Sequence, residues 1–298
     1  MKNYRVNYVD LPTGETIAYR KAGRNKQTLL FIHGNMSSSV HFQPIMEEFE
    51  KHFTVYSLDL VGFGDSSYNR QIDSLEDFSK DVTAFIEHFD LRDLYIMGWS
   101  TGGGVALETA VDNGDRVKGL FLLSSVGVQG LKVYKQKMSR FGTLISERIF
   151  KREDIETDPL QAGQHRLAIQ NMDKDFFKLL WELIYIKNEP SEEDFDKFVE
   201  AVMKQRNLVD VIHALANFNM TTSFNGVNYG SGRLYQLRCP IVIMHGDGDI
   251  VVPIADAEKS AEFIGERAEL IKFKGCGHSL LTDDKDRVYV EIVSRIEM

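Results

Sequence analysis

The sequence predicts an α/β fold with a mostly parallel central sheet, helices on both faces and a helical segment inserted late in the chain. Three observations predict it. Short continuous apolar runs recur through the 298 residues, separated by stretches of helical periodicity, as expected for strands buried on both faces. One run leads through Gly98-Trp99-Ser100-Thr101-Gly102 straight into a helical pattern. The alternation then stops between Ser124 and Pro240.

The elements follow in order. Tyr4 to Arg20 alternates around Pro12-Thr13-Gly14-Glu15 and reads as an antiparallel hairpin. Leu29–Ile32, Val55–Leu58, Ile96-Met97, Leu120–Leu123, Ile241–Met244 and Leu270–Phe273 read as the buried strands. Helical patterns cover Phe42 to Phe53, Ser74 to Phe89, Val105 to Asn113, Ile254 to Ile264 and Arg287 to Ile296. Ser74 is a helix N-cap, with acids in the turn that follows and Phe78, Val82, Phe85, Ile86 and Phe89 at helical spacing. Gly127 to Tyr235 reads as helical and aromatic-rich. Phe141, Ile145, Phe150, Phe176, Phe177, Trp181, Tyr185, Phe195 and Phe198 are expected to pack that segment's own core, with some lining a pocket over Ser100.

Gly-x-Ser-x-Gly by itself is often a plain loop, and the strand before it and the helix after it give it meaning. Glycines at 98 and 102 suit a turn too tight for side chains, which pushes Ser100 out with its hydroxyl exposed. Each glycine costs about 1 kcal/mol against alanine inside a helix. Three in succession at 102–104 therefore point to a backbone that passes close to a strand or a ligand.

A nucleophilic serine needs a base, and the base needs an orienting acid. His278 follows the last strand in Gly275-Cys276-Gly277-His278 and is the expected base. His33 is its main rival, but it precedes a candidate oxyanion loop and is expected to brace it. His41, His52, His88, His165 and His213 read as ordinary helical or surface residues, and His245 as structural. The acid is expected at Asp249, ahead of the apolar Ile250-Val251-Val252 anchor. Asp247 reads as a turn cap, and the Asp59 to Ser66 loop as a turn framing the site. Oxyanion donors are expected from the N–H groups of Asn35, after the Leu29–Ile32 strand, and of Thr101. Spacing leaves the first donor open between Asn35 and Met36.

On His33-Gly34-Asn35, Asp59-x-x-Gly62-x-Gly64-x-Ser66, Gly98-Trp99-Ser100-Thr101-Gly102, His245-Gly246-x-x-Asp249-x-x-Val252-Pro253 and Gly277-His278, the chain resembles an α/β-hydrolase-fold enzyme with a helical lid. The order Ser100, Asp249, His278 is that of the family. The resemblance implies a hydrolase core over residues 1–126 and 236–298 and a helical cap over 127–235. It also implies ester hydrolysis of small or medium apolar acyl groups through a Ser–His–Asp triad, with no cofactor and no metal. Lactonase, C–C hydrolase, amidase or aminopeptidase, and cofactor-free peroxidase activities use the same triad, and a ligand receptor with little turnover is the non-enzymatic alternative. Serine rather than aspartate at 100 argues against haloalkane dehalogenases and epoxide hydrolases. Thr101 departs from the methionine or glutamine often found after the nucleophile.

With a net charge of -9 and no basic patch, the chain is not expected to bind nucleic acid. The first eight residues lack the apolar core of an export signal, and no apolar run spans a bilayer, so a soluble cytoplasmic protein without a membrane partner is expected. Cys239 and Cys276 are expected at opposite ends of the sheet, unpaired.

Overall fold

The computed structural model describes residues 1–138 and 144–296. Eight strands form one sheet: β1 (Val6–Asp10), β2 (Thr16–Ala22), β3 (Thr28–Ile32), β4 (Thr54–Leu58), β5 (Leu94–Trp99), β6 (Val117–Leu123), β9 (Ile241–Gly246) and β10 (Ala268–Phe273). Their order is β1-β2-β4-β3-β5-β6-β9-β10. The β1–β2 and β2–β4 pairs are antiparallel and all other neighbours are parallel. The expected hairpin thus forms one edge, extended to Ala22.

Strand periodicity divides the core into two layers. Leu30, Ile32, Leu94 and Ile96 face one side, where they pack with α2 (Leu75–His88), α3 (Thr101–Asp112) and α9 (Ile254–Ile264). Leu29, Phe31, Tyr95, Met97 and Trp99 face the other, with α1 (Gln43–Phe49) and α11 (Lys285–Val293). Helix α2 starts at a capping box in which the Ser74 hydroxyl accepts the Asp77 N–H and the Asp77 carboxylate accepts the Ser74 N–H.

Two helices depart from expectation. The first run is shorter: α1 starts at Gln43, after a 3₁₀ turn at Ser39–Phe42, and ends at Phe49 rather than Phe53. Helix α3 begins at Thr101, not Val105, so the glycines lie inside its first turn. Close approach overrides their poor helix propensity. A side chain at Gly98 would strike the Gly102 carbonyl, one at Gly102 the Ile32 carbonyl, and one at Gly103 the Ser125 hydroxyl.

Among the described residues, the segment between β6 and β9 adds no strand to this sheet. It holds α4 (Arg152–Thr157), α5 (Gln164–Gln170), α6 (Lys174–Glu182), α7 (Glu192–Val202) and α8 (Leu208–Asn217), together with a self-paired ribbon of β7 (Tyr134–Met138) and β8 (Leu144–Arg148). That ribbon was not expected; its residues are mostly exposed, so burial leaves no pattern to read there. Phe141 lies outside the described residues, and Ile145 is exposed. The expected private core is small, comprising Val133, Ile149, Ile155, Leu208, Ile212 and Ala216. Phe177, Trp181 and Tyr185 instead join the layer beneath α1 and α11, because the segment lies directly on the sheet's carboxyl end.

Helix α10 (Leu280–Asp283) links β10 to α11. Both cysteines are free and buried. Among the described residues, no helix is long and apolar enough to cross a membrane.

Candidate active site

Ser100 stands between β5 and α3 with φ 56° and ψ -121°, a strained conformation for a residue with a side chain. Its neighbours hold it there. Its N–H donates to the Leu123 carbonyl at 2.9 Å, and its carbonyl accepts from the N–H groups of Gly103 at 3.0 Å and Val126 at 3.1 Å. Gly34 packs against it so closely that an added Cβ would fall 2.8 Å from Ser100 Cβ.

His278 Nδ1 donates to Asp249 Oδ2 at 2.7 Å. That bond fixes the tautomer with a free Nε2 acceptor. Asp249 Oδ1 accepts the N–H groups of Val251 at 2.8 Å and Val252 at 2.9 Å; backbone donors pin it, and of the expected apolar anchor only Val252 is buried while Ile250 and Val251 are exposed. Burial pushes the Asp249 pKa up. Hydrogen bonds from His245 and His278 and from the Val252 N–H outweigh it and hold the carboxyl well below the usual carboxylate range. His245 reads as merely structural in the sequence, yet its Nε2 lies 3.2 Å from Asp249 Oδ2 and 2.8 Å from the Val252 carbonyl. One carboxylate oxygen is thus shared between His245, in β9, and His278, in the loop after β10.

Ser100 and His278 open on one cavity of about 270 Å³, together with Asn35, Met36, Trp99, Leu180, Trp181, Leu183, Ile184, Ile250 and Val251. Among the described residues the Ser100 hydroxyl and His278 form no hydrogen bond. Among the described residues, Trp181 is the one expected aromatic of the inserted segment that reaches this wall. The loop carrying His278 is held from several sides. Its carbonyl accepts the Trp99 indole N–H at 3.0 Å, and its N–H donates to the Ile184 carbonyl at 3.0 Å. Buried Asp283 accepts the N–H groups of Gly277, Ile186, Lys187 and Asn188. Neither Trp99 nor Asp283 carries a local sequence signal for this work.

The loop after β3 presents backbone donors. The Gly34 carbonyl is 2.8 Å from both His33 Nδ1 and Ser37 Oγ. In a trans peptide the N–H points opposite the carbonyl, so the Asn35 N–H faces away from that cluster. Thr101 is the first residue of α3, where an N–H has no partner within the helix. His33 also accepts the Leu60 N–H at 3.0 Å and braces the loop as expected. Asp59 is committed to Ser39, Asp65 and Arg20, and exposed Asp247 accepts the Gly275 N–H, so neither reaches His278.

His41 is neither ordinary nor superficial. It is buried and stacked on Phe198 at 4.5 Å and beside Trp181 at 4.7 Å. It lies in the 3₁₀ turn that precedes α1, ahead of the helix the sequence suggested, with its side chain buried.

Residues 27–285 match the family described as alpha/beta hydrolase fold. The chain is 24% identical to a non-heme haloperoxidase of Rhodococcus erythropolis over 97% of this chain and 99% of that one. It is also 24% identical to a bifunctional esterase/perhydrolase of Acinetobacter calcoaceticus, over 98% and 99%. An esterase from Exiguobacterium antarcticum superposes with a TM-score of 0.73 at 19% identity, covering 97% of this chain and 98% of that one. The match over most of the chain and the shared architecture lead to one conclusion: this protein belongs to the α/β-hydrolase fold family.

Proposed function

We propose that this protein is a serine hydrolase cleaving carboxylic esters of small or medium apolar acyl groups, with residues 127–235 as a cap over the site. Ser100 Oγ attacks the ester carbonyl and gives its proton to His278 Nε2. Asp249 orients the imidazole and stabilises its cation. The carbonyl oxygen, now an oxyanion, accepts from the N–H groups of Asn35 and Thr101. The imidazolium protonates the departing alcohol. Water, activated by the same imidazole, then releases the acid from Ser100.

The observation that carries this reading is that Ser100 and an Asp249-bound His278 line one cavity whose other side chains, Asn35 apart, are apolar or aromatic. Met36, Leu180, Leu183, Ile184, Ile250 and Val251 favour an uncharged, apolar acyl group. The aminopeptidase alternative needs an acid to bind the substrate amine. Glu182, Glu189, Glu192 and Glu193 are exposed and outside the lining, and Asp194 pairs with the Met1 amine. The esterase and perhydrolase named among the relatives agree with acyl transfer. The two unpaired cysteines support a cytoplasmic setting.

The test is a panel of p-nitrophenyl esters, lactones and aminoacyl anilides, with fluorophosphonate labelling alongside. The ester series should turn over with saturation kinetics, and S100A should lose both turnover and label. Undiminished labelling of S100A overturns the assignment. Preference for lactones or anilides redirects it to another bond.

A further inference from the structure

Gln205 follows α7 and is 4% exposed. Its Oε1 accepts the Met36 N–H at 3.0 Å. Its Nε2 donates to Asn35 Oδ1 at 2.8 Å and to Asn207 Oδ1 at 3.1 Å. The residues that follow anchor the same strip of chain to the framework. Arg206 N–H donates to the Gly62 carbonyl at 2.9 Å, and Asn207 Nδ2 to the Val61 carbonyl at 2.6 Å. A buried amide from the inserted segment thus grips the two residues between which the sequence left the oxyanion donor open.

The grip coincides with strain. Met36 has φ 50°, a left-handed conformation that costs a residue with a side chain on the order of 1–2 kcal/mol. Two peptide planes matter here. The Gly34–Asn35 plane is set by the partners of the Gly34 carbonyl, His33 and Ser37. The Asn35–Met36 plane has its N–H on Gln205. A rotation of the second plane would release the Met36 N–H and swing the Asn35 carbonyl, an acceptor, from its present position.

We propose that Gln205 is the residue that positions the oxyanion loop: it sequesters the Met36 N–H and holds Asn35 by its side chain, so that Asn35 and not Met36 supplies the backbone donor. The assignment rests on the serine hydrolase reading. As the Ser100 Oγ–C bond forms, the carbonyl π pair moves to oxygen, and His278 takes the serine proton. The new charge needs donors already in place, because reorienting a peptide plane during the reaction adds to the barrier. Gln205 would therefore act on the rate of the chemical step more than on substrate binding. The amide donates and accepts at once, whereas leucine of similar length can neither accept from Met36 nor donate to Asn35.

The experiment compares wild-type protein with Q205L on the ester that wild type hydrolyses best. We expect kcat to fall roughly 10- to 100-fold with KM within about 3-fold. Affinity for an alkyl boronic acid, which forms a tetrahedral adduct on Ser100, should fall by the same factor as kcat. Wild-type kcat in a cooperatively melting Q205L overturns the assignment, as does a loss confined to KM. A second measurement needs no variant. On phosphonylation of Ser100 in wild type, the Asn35 amide proton should shift downfield by NMR while the Met36 amide stays in place; a shift at Met36 instead overturns the assignment even if Q205L does not fold. Failure of wild type to hydrolyse any ester would count against the serine hydrolase reading, a result separate from either of these.

Discussion

Trp99 donates its indole N–H to the backbone carbonyl of His278 at 3.0 Å, joining positions 179 residues apart. The residue beside the expected nucleophile thereby holds the chain that carries the expected base. Substituting W99F leaves that buried carbonyl without a partner, at a cost of about 1–3 kcal/mol. Urea unfolding should report this loss. In the same variant, fluorophosphonate labelling of Ser100 should slow, because His278 is less well oriented; unchanged stability and labelling would refute the tether.

Asp249 supports two imidazoles, and its two oxygens are fully used. D249N replaces one acceptor oxygen with a donor that faces the His278 N–H. Turnover should fall by about 10⁴, by analogy with other triads, with the fold intact by circular dichroism. H245L removes the shared contact with Asp249 together with the bond to the Val252 carbonyl, and should give a smaller loss. Equal losses in the two variants would show that His245 does more than support the carboxylate.

His41 gives the fold a pH dependence of its own. Burial pushes its pKa down to about 3, with the charge of neighbouring His33 acting in the same direction, against 6.5 for a free imidazole. Between these values the unfolded chain binds a proton that the folded chain does not. Its contribution to stability is therefore complete above pH 6.5 and is lost as pH falls towards 3. H41F should melt at lower temperature near pH 7, since Ser38 loses the acceptor for its N–H, but its melting temperature should fall less steeply on acidification. Parallel curves for the two proteins would contradict this.

Asp283 is fully buried and gathers four backbone N–H groups, of Gly277 on the His278 loop and of Ile186, Lys187 and Asn188 in the inserted segment. D283A leaves all four without their acceptor. The unpaired groups should cost at least about 1–3 kcal/mol. The inserted segment and the His278 loop should become more susceptible to limited proteolysis together. Cleavage confined to one of them would argue that they are held separately.

The frame of the fold was legible because it is local. Alternating faces of β3 and β5 place Leu29 and Phe31 on one layer and Leu30 and Ile32 on the other, and this follows from a two-residue period alone. Ser74 and Asp77 announced α2 by a capping pattern confined to four residues. The inserted segment was legible as helical but not in its packing. Trp181 and Tyr185 carry the same pattern whether they bury against their own helices or against the sheet. The β7–β8 ribbon had no buried face to mark it.

The sequence by itself determined the strand ends at which Ser100, Asp249, His278 and Asn35 appear, because turn glycines and short apolar runs record backbone geometry within a few residues. Tertiary structure alone decided which groups support them. Gln205 meets Met36 across 169 residues, Asp283 meets Ile186 across 97, and His245 reaches Asp249 only through the turn between them. The first two join segments far apart in the chain and the third depends on how a turn folds; none obeys a periodicity, and only the folded chain brings the partners together.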